Sequence, residues 1–434
     1  MSFHSRFVSA ILMLLNESMP RILLLLPTTT YRAADFLAAA GRMKIEVVAA
    51  SEKPNVMAAR HPDSLVTLNF RDIDGSARRV EEFNQIYPLD AVIPVDDDTA
   101  VLAAAFASAL SLPHNSVDSA RAARNKYLQS ELLHRHGLPA PKSRLYSSEQ
   151  DPEAAAATID YPCVLKPLFL SASRGVIRAD DPASFVSAWK RILSILADPE
   201  VAVRGAEAAN QIMVQDFVPG IEFALEGLLS RGELRILALF DKPDPLDGPF
   251  FEETLYITPS RHPESIQKAI AACIARATRA MGLQEGPIHA ELRVNEKGPW
   301  IIELAARSIG GLCSRTLRFG TGLSLEEIIL RHALGMEIDH MKRESRAAGV
   351  MMIPIPAAGV LREVRGLDAA RGVPGVEELT ISAHPGKTLT PLPEGSSYLG
   401  FIFSRGEDSC FVEESLRQAH RKLEFVIEPA GTST

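Results

Sequence analysis

Two carboxylates stand out because of the runs that hold them. Glu291 lies in HAELRV and Glu303 in WIIEL, both of which read as strands. In HAELRV the alternation puts His289, Glu291 and Arg293 on one face. NEKGP, between the two runs, has the makings of a five-residue hairpin loop. With Val294 facing Trp300, that register sets Glu291 directly opposite Glu303. Like charges opposed in a sheet are destabilising, so a cation must lie between them or one must hold a proton. A hard divalent ion suits such a pair, and Mg²⁺ typically takes one or two carboxylates together with substrate phosphates. The competing arrangement is a plain salt bridge from Arg293 or Arg307 to one of the glutamates. Arg307 follows Glu303 by four residues and precedes the pair Gly310-Gly311.

A lysine raises a similar question. Lys166 closes the apolar run YPCVLKP, and the small-residue loop LFLSASRGV follows it. A lysine there can reach phosphates, and small residues let backbone N–H groups approach them. The alternative is a lysine whose stem packs on apolar surface while its head stays in water. No GKS or GKT follows, so this is not a Walker A loop.

The elements that must position these groups alternate in type. RILLLLP (21–27), a helix, KIEVVAAS, SLVTLNF, a helix near 76–87 and DAVIPV predict a parallel sheet covered by helices. Asp96, Asp97 and Asp98 open the next helix, where acidic residues favour the dipole; a substrate-facing role is the alternative. Ser116 can cap one helix running to about His136, stopped by Gly137 with Pro139 and Pro141 beyond. Strands and loops follow: a helix over 181–197, a hairpin turning at Arg231-Gly232 and a helix over 263–281. The polar run MKRESRAAG (341–349) reads as a linker to short strands and a helix over 411–423.

Length and composition bound the function. The 434 residues suggest two to four domains, and 46% apolar with 23% charged residues is an ordinary globular balance. The formal net charge of −8 argues against nucleic acid as the main partner. Four scattered cysteines and eleven histidines form no CxxC or HExxH, which fits a reducing cytoplasm. The N-terminal apolar stretches are broken by Asn16, Glu17 and Pro20, short of the roughly 18 residues of a membrane span. Met19 is a candidate start, which makes residues 1–18 an extension.

Taken in order, these segments resemble the ATP-grasp superfamily, specifically its carboxylate–amine ligases, over residues 20–425. The resemblance implies a multidomain α/β and α+β chain. A Rossmann-like N-terminal domain (19–115) would precede a small central subdomain (116–210) and a large subdomain with the metal site (211–340). A small C-terminal α+β domain (345–434) would follow. RNKYLQSELLHRHGLPAP matches the segment of the first phosphate-contacting lysine, Lys126, and YPCVLKPLFLSASRGV that of the second, Lys166. Ser171, Ser173, Arg174 and Gly175 would belong to the mobile loop over the phosphates. In VQDFVPGIEF, the backbone of Gln215, Asp216, Phe217 and Val218 would bind adenine and Glu222 the ribose hydroxyls. Glu291 and Glu303 would hold Mg²⁺, for which Mn²⁺ is an alternative. Arg307, with backbone N–H groups near Gly310 and Gly311, would stabilise an oxyanion.

The implied reaction joins a small-molecule carboxylate to an amine at the expense of ATP, with amino acids as the expected substrates. No membrane enters it, and a homodimer is the default assembly. DKPDPLDGPFFEETLY (241–256) would line the substrate side; alternation separates Glu252 from Glu253, and the choice of amine ligand stays open. His289 shares the face of Glu291, where it meets either substrate or core. The departure is Ala305, where many members carry a further metal-ligating Asn, so the number of metal ions is open. A biotin-carboxylase-like enzyme and a non-catalytic nucleotide-binding protein are the alternatives.

Overall fold

The computed structural model describes residues 19–429, apart from 28, 29, 54–56, 58 and 59. The expected extension over 1–18 lies outside the described residues. The chain divides into two compact units: residues up to His114 together with Glu326–Ile338, and all the rest.

In the first unit, β1 (Arg21–Leu25), β2 (Glu46–Ser51), β3 (Leu65–Thr67) and β4 (Ala91–Pro94) form a parallel sheet, ordered β3-β2-β1-β4. Ile22 to Leu25 are all buried, as a central strand covered on both faces requires. The Asp96 side chain accepts from the Asp98 N–H at 3.1 Å, so the acidic triplet does cap the helix Asp97–Ala109. The helix Leu325–Ala333 contributes Glu326 and Glu327 to this unit, paired with Arg32 and Arg42 at 3.7 and 3.1 Å. Residues 326–338 therefore do not belong with the preceding subdomain, as the expected boundary at 340 had them.

The second unit opens with β5 (Ser143–Ser147), β6 (Cys163–Pro167), β7 (Ile177–Ala179) and β8 (Gln211–Asp216), an antiparallel sheet ordered β5-β8-β6-β7. The helix Pro182–Leu196 buries Phe185, Trp189 and Ile192 against it. Next come β9 (Ile221–Ser230), β10 (Glu233–Lys242), β11 (Leu255–Thr258), β12 (Gly286–Asn295) and β13 (Gly298–Ala305). The β9–β10 turn is Arg231-Gly232, both at positive φ (51° and 79°), as a two-residue hairpin of this hand requires. The remaining strands are β14 (Ala347–Ile353), β15 (Gly359–Arg365), β16 (Val376–Ile381), β17 (Thr388–Leu389), β18 (Gly400–Gly406) and β19 (Glu424–Glu428).

Three expectations need correction. First, 341–349 is not a free linker: β13-β12-β9-β10-β11-β14-β18-β16 is one eight-stranded sheet that runs on into the C-terminal domain. The polar run before it ends in β14, which is buried along its whole length and pairs with β11 from Leu255–Met351 to Thr258–Ala348.

Second, the helix expected from Ser116 to His136 is two, Val117–Arg124 and Lys126–Arg135. Asn125 breaks it by leaving helical geometry (ψ 108°) and turning its side chain onto the Tyr127 and Leu128 N–H groups at 3.0 and 3.1 Å. Lys126 thereby becomes the first residue of the second helix.

Third, β12 and β13 meet one residue tighter than expected: Val294 faces Pro299, and only Glu296 and Lys297 lie between the paired Asn295 and Gly298. A bulge between Glu291 and Leu292, opposite Ile301–Glu303, restores the pairing of Glu291 with Glu303. The extra residue, Ile302, lets both Ile301 and Leu304 point into the core shared with Leu292 and Ala290, while Glu303 keeps the other face.

Among the described residues, no helix is long and apolar enough to cross a membrane.

Candidate active site

The bulged β12–β13 pair brings the two glutamates together, and each has its own lysine. Lys126 Nζ donates to Glu303 Oε1 at 3.2 Å and to the Leu170 carbonyl at 2.9 Å. Lys242, the last residue of β10, donates to Glu291 at 3.2 Å, to Glu222 at 2.8 Å and to Glu253. The opposed carboxylates are thus neutralised from two sides by lysines. Arg293 instead bonds Glu222 through Nε at 2.9 Å and the Val218 carbonyl through Nη1 at 2.9 Å.

Lys242 is buried, as is Glu222, and both lie in a polar cluster that the sheet walls off. Burial works against the lysine charge, but three carboxylates outweigh it and hold the pKa well above the ordinary value. Burial and the neighbouring Glu291 push Glu253 up, despite Lys242. For Glu291 burial also pulls upward, but Lys242 and His289 prevail and hold its carboxyl well below the usual range. Of Glu252 and Glu253, it is Glu253 that enters this cluster, while half-buried Glu252 is pushed up by burial. His289 is buried between two carboxylates, with Nδ1 on Glu226 and Nε2 3.5 Å from Glu291. Burial opposes its charge, but Glu226 and Glu291 win and raise its pKa to about 9. His289 therefore orders glutamates here rather than standing open as a substrate contact.

Lys166 is the penultimate residue of β6 and its side chain is buried, which pushes its pKa down to about 8 against the pull of Glu303. It is not the solvated strand-end lysine that was the alternative. The loop after it takes positive φ at Ala172 (53°), Ser173 (54°) and Gly175 (73°). A Cβ at position 175 would come 2.7 Å from Pro167 Cγ, so glycine is required there. Arg174 N–H bonds the Ser171 carbonyl at 3.2 Å and Gly175 N–H the Pro393 carbonyl at 2.9 Å. Among the described residues the Ala172 and Ser173 N–H groups have no protein acceptor, the arrangement of an anion-binding nest.

At the expected adenine edge, Gln215 sits inside the sheet, with Nε2 on Ser143 Oγ at 3.1 Å. The Asp216 and Phe217 N–H groups already bond the Lys142 and Pro162 carbonyls at 3.0 and 3.1 Å. Among the described residues the Val218 N–H and Phe217 carbonyl keep no protein partner, so the usable edge is narrower than the segment Gln215–Val218. The Phe217 ring carries the Arg178 guanidinium at 4.2 Å and that of Arg293 at 5.1 Å. Glu222 spends one oxygen on Lys242 and the other on Arg293, though each oxygen retains a lone pair for a hydroxyl.

Past β13, Ile309 N–H bonds Glu226 at 3.0 Å, which fixes the turn carrying Gly310 and Gly311. Half-buried Arg307 donates through Nη1 to the Ser308 carbonyl at 3.0 Å. Gly311 adopts φ 59°, with Phe401 packed where a side chain would begin.

Sequence reasoning missed Glu226, Lys242 and Tyr256, whose hydroxyl lies 3.4 Å from Glu291. Glu222 and Glu226 share a face of β9 by simple alternation, and Lys242 closes an apolar run much as Lys166 does; both signals were present.

The donor set fits a hard divalent ion. Glu291 and Glu303 are paired oxygen donors, Glu291 is held ionised, and their present counter-charges are the ammoniums of Lys242 and Lys126. The oxygens lying within 4.8 Å of one another are those of Glu222, Glu253 and Glu291, but Lys242 already serves that group. Lys126, Lys166 and the loop nest likewise fit a polyphosphate.

A family model for the ATP-grasp domain matches residues 159–316, and one for the L-amino acid ligase C-terminal domain 2 matches 351–428. The uncharacterized protein y4rH of Sinorhizobium fredii is 21% identical over 95% of this chain and 84% of its own. Alanine–anticapsin ligase of Bacillus subtilis is 24% identical over 62% of this chain, which spans only 60% of that ligase. The crystal structure of L-amino acid ligase from Bacillus licheniformis superposes with a TM-score of 0.79 at 24% identity, over 94% of this chain and 99% of that one. Residues 159–316 therefore carry an ATP-grasp domain and 351–428 the C-terminal domain 2 of L-amino acid ligases, and the chain has the fold of that L-amino acid ligase.

Proposed function

We propose that the protein joins a carboxylic acid to an amine in an ADP-forming reaction through an acyl-phosphate, with amino acids as substrates. The observation that carries this is the convergence of Lys126 on Glu303, opposite Glu291, beneath a loop with two free N–H groups. The match to the L-amino acid ligase C-terminal domain favours it over a biotin-carboxylase-like reaction. Four unpaired cysteines suit a reducing cytoplasm as its setting.

In this reading the acid's carboxylate attacks the γ-phosphorus of ATP, and ADP leaves. Phosphoryl transfer needs positioning and charge neutralisation more than covalent help. Lys126 and Lys166 supply cationic charge to the phosphate oxygens. Glu291 and Glu303 would hold Mg²⁺, which when bound supplies Lewis-acid charge to the phosphates. The Val218 N–H and Phe217 carbonyl offer adenine a donor and an acceptor, and Glu222 accepts from the ribose. The amine then attacks the acyl carbon, and phosphate departs from the tetrahedral adduct. Arg307 and the backbone near Gly310 and Gly311 stabilise that oxyanion, while closure of 171–175 excludes water.

The test is ADP release from Mg-ATP with amino acids singly and in pairs, with products identified by mass spectrometry. Hydroxylamine should intercept the activated acid as a hydroxamate. A specific pair giving equal ADP and amide supports the proposal. Tight Mg-ATP binding with neither ADP nor hydroxamate for any acid overturns it in favour of a non-catalytic role.

A further inference from the structure

The segment between β17 and β18, some 220 residues away in sequence, reaches the loop over the phosphate site. Its Pro393 carbonyl accepts from the Gly175 N–H at 2.9 Å, and its Glu394 carbonyl from Arg174 Nε at 2.8 Å. The Glu394 side chain is fixed in turn by Arg191, which donates from Nε and Nη2 to its two oxygens at 2.8 and 2.9 Å. That fork-to-fork geometry is the most directional ion pair proteins use. Arg191 lies on the helix Pro182–Leu196, which packs under the loop, and its guanidinium also covers the Phe250 ring at 4.9 Å. The C-terminal segment is thus tied to the small subdomain at its helix and at its loop together.

The loop's own conformation calls for such support. Ala172 and Ser173 both hold positive φ without being glycine, a state that persists only where surroundings impose it. Within the loop, the bonds are Arg174 N–H to Ser171 and Val176 N–H to Ser173. The two bonds that leave the loop at Arg174 and Gly175 both go to Pro393 and Glu394.

We propose that Glu394 is a positioning residue which, pinned by Arg191, keeps the 171–175 loop shut while the activated acid awaits its amine. This rests on the ligase reading for its purpose, but not for its structural content. If the loop opens early, water attacks the acyl carbon, releasing the original acid and phosphate, so ADP accumulates without amide.

Trypsin reports the loop directly, because it cuts after Arg174. Cleavage there is followed by mass spectrometry on the full-length protein, normalised to the cut after exposed Lys297. Glu394→Ala and Arg191→Ala should each speed cleavage at Arg174 about three- to fivefold, the range for a partly exposed ion pair. The exchange variant Arg191→Glu with Glu394→Arg should regain protection, which a general packing defect would not. In turnover, Glu394→Ala should raise the ratio of ADP to amide by a similar factor. Cleavage unchanged in Glu394→Ala, or an exchange variant as open as the single ones, overturns the proposal. So does lost protection with an unchanged ADP-to-amide ratio. An absence of any amide from the wild type would count against the ligase reading, while the trypsin result still decides the latch.

Discussion

Lys126 Nζ lies 3.2 Å from Glu303 Oε1 although 177 residues separate them, and the contact joins a helix start to a bulged strand. Each partner is also the residue expected to meet the ligand, phosphate for the lysine and metal for the glutamate. Here they satisfy one another, so on the proposed reading ligand binding would exchange partners instead of exposing bare charge.

That exchange predicts the behaviour of Glu303→Gln. It keeps the shape and removes the charge, so Mg²⁺-dependent nucleotide binding should weaken roughly ten- to a hundredfold, the value of one charged contact. Calorimetric titration with ADP in Mg²⁺ and in chelator checks this. Equal weakening in both conditions would mean that Glu303 does not serve the metal.

Lys242 predicts a different signature. Removing one member of a buried ionic cluster typically costs about 3–5 kcal/mol, because the charges left behind are unpaired. Lys242→Met should therefore lose stability on that scale in chelator, and Mg²⁺ should return part of it by supplying positive charge to the glutamates. Urea unfolding with and without Mg²⁺ measures both effects.

For Lys166 the sign follows from its depressed pKa. The folded value of about 8 lies below the ordinary 10.5, so charging this lysine opposes folding. The opposition is complete below about pH 8 and vanishes above the unfolded value. At 1.36 kcal/mol per unit it amounts to about 3 kcal/mol. Lys166→Met should thus stabilise the ligand-free protein at pH 7 by up to that amount, with the gain shrinking between pH 8 and 10.5. The same variant should bind ATP poorly, so stability and function move in opposite directions.

On the proposed mechanism Arg307 serves the second half-reaction. Arg307→Ala should slow amide formation by about 10²–10³, the usual loss for one oxyanion donor. ATP affinity and hydroxamate formation should stay near wild type. Rapid-quench measurement of ADP and amide in one turnover separates the two steps.

Much of this site was legible because chemistry-bearing residues interrupt apolar runs. Lys166 and Glu303 are conspicuous where burial would otherwise exclude charge, and their ordered neighbours carried the resemblance. The pairing of Glu291 with Glu303 was anticipated through a register wrong by one at the turn, since a bulge at Ile302 leaves no trace in alternation. Asn125 was read as interior to a helix because its capping role depends on where the chain turns. Glu226 and Lys242 escaped because nothing local says that β9, β10 and β12 lie side by side. The link from Glu394 to Arg191 joins segments about 200 residues apart, and no periodicity encodes it.

The eight-stranded sheet also bears on how relatives of this chain can be recombined. The polar run at 341–349 looks like a natural seam, yet β14 begins within it, and Ala348 and Gly349 already pair with β11. A chimera spliced there would ask one parent's β11 to zip onto another parent's β14, and the same foreign piece would have to supply the Glu394 clasp. The workable units of exchange are therefore whole sheets with their clasp, and a hybrid should keep everything from β9 to β18 from a single parent.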